Sequence, residues 1–161
     1  MAEASRRAAR SAAKGGRPNA LFVVGAAERL PAELVGLADD VTIVLPWGSL
    51  LRGVLGLDEA AARGIASLPK PGASVTAWLA SSARYRGAGV GTLDGDLLRP
   101  AALARLAAVH GRTGLVLVEA APAPPAELRT LGTTWAKRLG LDRPGSGSSA
   151  VRLRLVRGGG R

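Results

Sequence analysis

The sequence predicts an α/β protein built on a parallel or mostly parallel sheet, and three observations carry that expectation. Apolar, β-branched runs alternate along the chain with helical patterns. The clearest run, Val41-Thr42-Ile43-Val44-Leu45, is continuous rather than alternating, as in strands buried on both faces. The chain has 161 residues without internal repeats, which suffices for one domain with a real core.

Residues 1–16, "MAEASRRAARSAAKGG", read as a basic amphipathic helix or linker ended by Gly15-Gly16. Their Arg-rich, acid-poor make-up also resembles a transit peptide. The helix is preferred because a strand, "ALFVVGAA" (20–27), follows almost at once. A short helical turn is expected near "PAELVGL" (31–37). The strand over 41–45 must then stop, since Pro46 removes a ladder donor and Gly48 permits a tight bend. Ser49 is placed to cap the helix "SLLRGVLG" (49–56), and Asp58 to cap a second helix in "LDEAAARGIASL" (57–68). "KPGASVTAWLA" (70–80) is a turn leading into a strand. "SSARYRGAGVGTLDGD" (81–96) is a polar, Gly-rich connection. "RPAALARLAAVHGRTG" (99–114) has Pro at its start and Gly at its end, the asymmetry of a helix, and "LVLVEAA" (115–121) is the strand after it. "APPAELRTLGTTWAKRLGLDR" (123–143) is helical in pieces. "AVRLRLVR" (150–157) is a last strand with alternating Arg, and residues 157–161 begin a disordered tail.

Composition narrows the chemistry. There are 22 Lys+Arg against 12 Asp+Glu, a formal charge of +10. That balance favours a polyanionic partner, nucleic acid before an anionic membrane surface. Lys14, Lys70 and Lys137 are the only lysines, and the Arg skew accompanies many Ala and Gly, so not every Arg needs a role. The absence of Cys excludes disulfides and thiol chemistry and fits the reducing cytoplasm. His110 is the only histidine, which excludes His-based metal sites and Ser-His catalysis; it falls near a helix end. No metal and no membrane partner is expected, since no apolar stretch reaches the length of a membrane span.

Two features invite a functional reading. "GAGVG" (87–91) has the skeleton of a nucleotide-binding glycine loop, but no buried strand precedes it and an acidic turn follows, so it is read as a connection. Trp47 stands at the carboxyl end of the 41–45 strand, the end where open α/β sheets bind ligands. There it either packs or forms the wall of a site.

The stretches "GAAERLP" (25–31), "LPWGSLLRGVLG" (45–56) and "TTWAKRLGLDR" (133–143) resemble the kanamycin–apramycin resistance type 16S rRNA (adenine(1408)-N(1))-methyltransferase family. The similarity runs from about Ser5 to the last strand and weakens between Ser81 and Pro122. The resemblance implies a Rossmann-like class I S-adenosylmethionine-dependent methyltransferase sheet, of strand order 3-2-1-4-5-7-6 with the last strand antiparallel. It implies S-adenosylmethionine as cofactor, 16S rRNA in the 30S subunit as partner, and aminoglycoside resistance as outcome. Trp47 and Trp135 match the tryptophans that hold the flipped adenine, and Arg138 and Arg143 match arginines that grip the surrounding RNA. Arg6, Arg7, Arg10 and Lys14 match, in charge alone, a basic linker on rRNA phosphates. Ala27 and Glu28 fall where the family contacts the cofactor's adenine, and Leu45 and Ser49 where it lines the methionine end. Trp78 has no such match and is expected to be core.

The family's sheet begins with a strand, a glycine-rich loop and an acidic residue ending the second strand. None of these lies in residues 1–161, where "ALFVVGAA" would be strand 3 and "VTIVLP" strand 4. The first two strands are thus expected to be lacking, and the chain as it stands is expected to bind no cofactor. The alternative class is a basic RNA- or ribosome-binding protein derived from that fold without catalysis.

Overall fold

The computed structural model describes residues 3, 6, 8–17, 19–81, 96–143 and 149–159. Arg7 and the "GAGVG" stretch lie outside the described residues. Among those described, β1 (Ala38–Val44), β2 (Pro69–Ser81), β3 (Leu115–Ala123) and β4 (Ser149–Arg157) form one sheet in the order β1-β2-β4-β3. β1 and β2 are parallel, while β4 runs antiparallel to both β2 and β3. β1, β2 and β3 therefore point the same way, and β4 alone is reversed. That is the 4-5-7-6 half of the sheet implied by the resemblance.

Two helices, α1 (Gly48–Val54) and α2 (Glu59–Ser67), make the crossover from β1 to β2, which parallel strands require. Asp58 caps α2 as expected, its carboxylate accepting from the Ala61 N–H at 3.1 Å. A helix α3 (Pro100–Arg112), with Pro at its first turn, leads into β3. Two short helices, α4 (Pro125–Thr130) and α5 (Thr134–Arg138), then lead towards β4. On β2 the buried Val75, Ala77 and Leu79 alternate with partly exposed Thr76 and Trp78, the two-residue period of a strand with one face on the core. Leu51, Ile65, Leu106, Leu153 and Leu155 complete that core.

Several expectations change here. "ALFVVGAA" forms no strand: residues 20–25 are irregular, and Ala26 joins only an isolated bridge to Arg29. Its apolar side chains stand in solvent, Leu21 at 84% and Val24 at 76%. β-branched composition makes a strand only where a neighbour completes the ladder, and among the described residues none lies beside this segment. The 41–45 run is not buried on both faces either, because Thr42 is exposed and only Ile43 and Leu45 are fully covered. Ser49 does not cap α1; the helix starts one residue earlier, and its N-cap is Trp47, with no side-chain cap bond. Gly48 takes the turn itself, at φ +59°. The "KPG" turn is part of β2, which starts at Pro69. Arg157 ends β4, as the 150–157 strand reading has it and not at the head of a tail, and its Nη1 donates to the carbonyls of Ala66 at 2.9 Å and Thr113 at 2.8 Å. One cation thus serves the carboxyl ends of both α2 and α3, where helix dipoles favour positive charge.

His110 is the buried polar residue of the core, 1% exposed. Its Nε2 lies 2.8 Å from the Val54 carbonyl, so Nε2 carries the proton and Nδ1 is left bare, buried and without a partner. Burial pushes its pKa below the ordinary 6.5, against a smaller upward pull from the Val54 bond. The neutral ring is the form that folds. A depressed histidine pKa contributes stability that is complete above 6.5 and is lost as pH falls towards the folded-state value. Since it is the only histidine, urea midpoints between pH 7.5 and 5.5 report on it almost alone. The midpoint is expected to fall with acid in that window, and His110→Gln is expected to flatten the slope.

Candidate functional site

The three parallel strands end on one edge, and the segments leaving that edge build the site. At the end of β1 the chain kinks sharply. Leu45 takes φ +48°, a left-handed conformation that a non-glycine residue seldom adopts, and it does so while 3% exposed. What holds it is a bond from the Leu45 N–H to the Trp78 carbonyl of β2, 2.9 Å long. Strain at such a point persists only where the surroundings over-determine it. Pro46 then leaves the ladder, and Trp47 follows in an extended conformation as the N-cap of α1, with its indole 38% exposed.

The other wall comes from the segment after β3. Thr133 caps α5, its hydroxyl accepting from the Ala136 N–H at 3.1 Å. Helices of five and six residues do not hold by themselves in water. α4 and α5 are pinned by buried Leu128, Ala136, Leu139 and Leu141. Trp135, next to that apolar face on α5, is 47% exposed. Its ring centroid lies 6.1 Å from that of Trp47, with the planes tilted by 37°. The Arg138 guanidinium carbon sits 5.9 Å from the Trp135 ring centroid, within cation–π range. Two large indoles facing each other in solvent, with a cation over one of them, form an aromatic cleft rather than a core contact.

The other candidates have different surroundings. Leu45 lies two residues before Trp47, and Ser49 two after, half-buried and without a side-chain hydrogen bond among the described residues. Ala27 packs on the core and approaches α2 closely: a Cβ on Gly64 would meet the Ala27 carbonyl oxygen at 1.7 Å. Glu28 next to it is partly buried, and its Oε2 is covered yet unpartnered. Such an acceptor costs stability unless something donates to it. Arg143 is exposed, as are Arg6, Arg10 and Lys14 on the N-terminal segment. Among the described residues no cluster of three or more acidic or histidine side chains could hold a metal, and no helix is long and apolar enough to cross a membrane.

One constellation escapes sequence reasoning. The Trp78 indole N–H donates to Glu127 Oε1 at 2.6 Å, and Arg152 Nη1 donates to Glu127 Oε2 at 2.7 Å. Arg152 Nη2 bonds Glu119 as well. These bonds to Glu119 and Glu127 raise the guanidinium pKa further and keep it charged. Trp78 is therefore core only in part. The alternating Arg of "AVRLRLVR" is the visible signal, but its partners come from β3 and α4 and no spacing announces them.

A mixed sheet with one reversed strand, carrying an exposed aromatic pair on the edge where its parallel strands end, defines an α/β domain with a candidate ligand site on that edge. Comparison with known proteins makes this specific. The family model for NpmA, 16S rRNA (adenine(1408)-N(1))-methyltransferase, matches residues 1–153. The 16S rRNA (adenine(1408)-N(1))-methyltransferase of Streptoalloteichus tenebrarius is 37% identical over 145 residues, covering 86% of this chain and 64% of that one. An rRNA methyltransferase of Saccharopolyspora hirsuta is 38% identical over 152 residues, covering 89% of this chain and 91% of its own. A crystal structure of the Catenulisporales acidiphilia 16S rRNA (adenine(1408)-N(1))-methyltransferase, a tryptophan-to-alanine mutant with cosubstrate SAM, superposes with a TM-score of 0.79. It is 32% identical, with 100% of this chain and 71% of that chain covered. The chain belongs to the 16S rRNA (adenine(1408)-N(1))-methyltransferase family. It spans somewhat less than two thirds of the length of the Streptoalloteichus relative.

Proposed function

We propose that the protein methylates ring N1 of adenine 1408 in the decoding site of 16S rRNA, on the 30S subunit, with S-adenosylmethionine as cosubstrate, and so protects the ribosome from aminoglycosides. The observation that carries this reading is the Trp47–Trp135 pair with Arg138 over it, at the carboxyl edge of the parallel strands. An adenine must leave its stack to expose N1, and two indole faces receive an extruded base.

N1 attacks through an in-plane lone pair, so no general base is needed. A chain without Cys, and with its one histidine buried under α1, is suited to that task. The work left to the protein is grip, alignment and stabilisation of the positive charge that develops on the base. The indole π-faces of Trp47 and Trp135 supply the last of these. A base between two rings, each at a contact distance of about 3.5 Å, needs about 7 Å between centroids. At 6.1 Å and 37° the pair is narrower than that and tilted, so the rings part and flatten as the base enters.

The cosubstrate would draw on residues outside the tryptophan pair. Glu28 has an unpartnered, covered oxygen that can accept from an amine or hydroxyl, and Ser49 offers a hydroxyl in the first turn of α1. Ala27 and Leu45 would line the apolar parts of such a ligand. Bound S-adenosylmethionine supplies an electrophilic methyl group on a sulfonium sulfur.

Both tests use the protein joined to the glycine-loop segment of a relative, a segment that residues 1–161 do not contain. Labelled methyl from S-adenosylmethionine is expected to enter 30S subunits, and none is expected to enter subunits carrying guanine at position 1408. Incorporation into both would reject the target. Arg138→Glu and Arg143→Glu are expected to weaken 30S association most at low salt. The slope of log affinity against log salt should fall by about one for each phosphate no longer neutralised. Unchanged binding at low salt would assign both arginines to a merely solvated face.

A further inference from the structure

The two tryptophan walls are carried by segments far apart in sequence, one leaving β1 and one following β3. Something must fix their separation, since neither α4 nor α5 is long enough to hold its own place. Residue Trp78 touches both sides. Its backbone carbonyl accepts from Leu45, which sets the kink two residues before Trp47. Its indole N–H donates to Glu127 in α4, the helix that leads into the one carrying Trp135. Strand register explains why this works. Trp78 pairs with Val44 on one side and with Arg152 on the other, so Trp78 and Arg152 project from the same face of the sheet. Glu127 receives both donors, one on each carboxylate oxygen. Both bonds are short, one is charge-assisted, and the Glu127 side chain is only 21% exposed.

We infer that Glu127 is a positioning residue, which through Trp78 and Arg152 sets the spacing and tilt of the Trp47–Trp135 pair. The inference rests on the proposed role of that pair as the base clamp. Glu127 acts by holding α4 against the end of β2. Apolar packing of Leu128 and Ala136 pins the segment to the core, but it is non-directional and does not by itself fix the tilt of α5. The two-pronged carboxylate supplies that direction.

The test has a readout that does not need activity. Two indoles at 6.1 Å and 37° couple as an exciton pair, giving a circular-dichroism couplet that Trp47→Phe and Trp135→Phe should each remove. Glu127→Ala is expected to collapse the same couplet while leaving both indoles in the chain. Glu127→Gln is expected to restore part of it, because the amide oxygen still accepts from Trp78 while the amide N–H faces the Arg152 donor. Trp78→Phe, which keeps an aromatic ring and removes only the donor, decides the matter if Glu127→Ala fails to melt cooperatively. In methylation assays Glu127→Ala is expected to lower kcat by about tenfold or more and to leave KM for 30S subunits unchanged. A folded Glu127→Ala or Trp78→Phe protein that keeps the couplet overturns the inference, whether or not it methylates. Loss of the couplet in a protein whose parent, joined to the glycine-loop segment of a relative, methylates nothing supports the positioning role and rejects the proposed function instead.

Discussion

Alanine at Trp47 or at Trp135 is expected to abolish adenine methylation while leaving 30S association nearly intact. Losing one stacking face costs about 1–3 kcal/mol, roughly a 5- to 150-fold loss of grip on the flipped base. On the proposed function most of the 30S affinity would come from phosphate contacts that neither indole makes. Alignment is a different matter, because displacement of the reacting nitrogen by about 1 Å can cost about a hundredfold in rate. With one wall gone the base keeps a single stacking partner and can slide along it. Phenylalanine at either position should keep part of the activity, since a smaller π-face still stacks. Methylation at the parental rate by either alanine variant would remove the pair from the site.

Gly64→Ala is expected to separate cosubstrate binding from stability. Gly64 lies inside α2, where alanine is intrinsically better by about 0.8–1 kcal/mol. The added methyl, however, would sit 1.7 Å from the Ala27 carbonyl oxygen, a backbone atom that cannot rotate aside. The segment bearing Ala27 and Glu28 must therefore lift off α2. Because that segment is irregular and carries few bonds, it can move without unfolding the sheet. In the protein joined to the glycine-loop segment of a relative, the sheet should stay folded while affinity for S-adenosylmethionine drops by about tenfold or more, about 1.4 kcal/mol. A variant with unchanged cosubstrate affinity would take Ala27 and Glu28 out of the binding edge. Arg63→Ala, on the exposed side of the same helix, is the matched control.

How far the sequence can be read depends on whether the deciding interaction is local. Asp58 as the cap of α2, Pro100 at the start of α3 and the stop at Pro46 are effects of neighbours along the chain, and each is legible. Ser49 is misplaced as the cap by two residues because Gly48 can take φ +59° and start the helix behind Trp47 without a capping side chain. "ALFVVGAA" fails for a non-local reason: its composition suits a strand, but strands exist by pairing. The order β1-β2-β4-β3 is legible only through the family resemblance, since periodicity names strands and not their neighbours. Of the site, Trp47, Trp135 and Arg138 are visible in their motifs and do come together. The Trp78–Glu127–Arg152–Glu119 network is invisible, because four residues from four elements meet only once the register of β2, β3 and β4 is set.

On the proposed function the cleft presents N1 of one adenine for methylation, and mapping the modified atom tests that most directly. A methyl group on N1 occupies the base-pairing edge, so reverse transcriptase halts there, whereas a methyl on the exocyclic nitrogen lets it pass. Treatment of 30S subunits with the protein joined to the glycine-loop segment of a relative and with S-adenosylmethionine is expected to give a single new stop at adenine 1408, absent when Trp47 or Trp135 is alanine. Methyl incorporation with no stop at that adenine, or with the stop at another base, would contradict the claim.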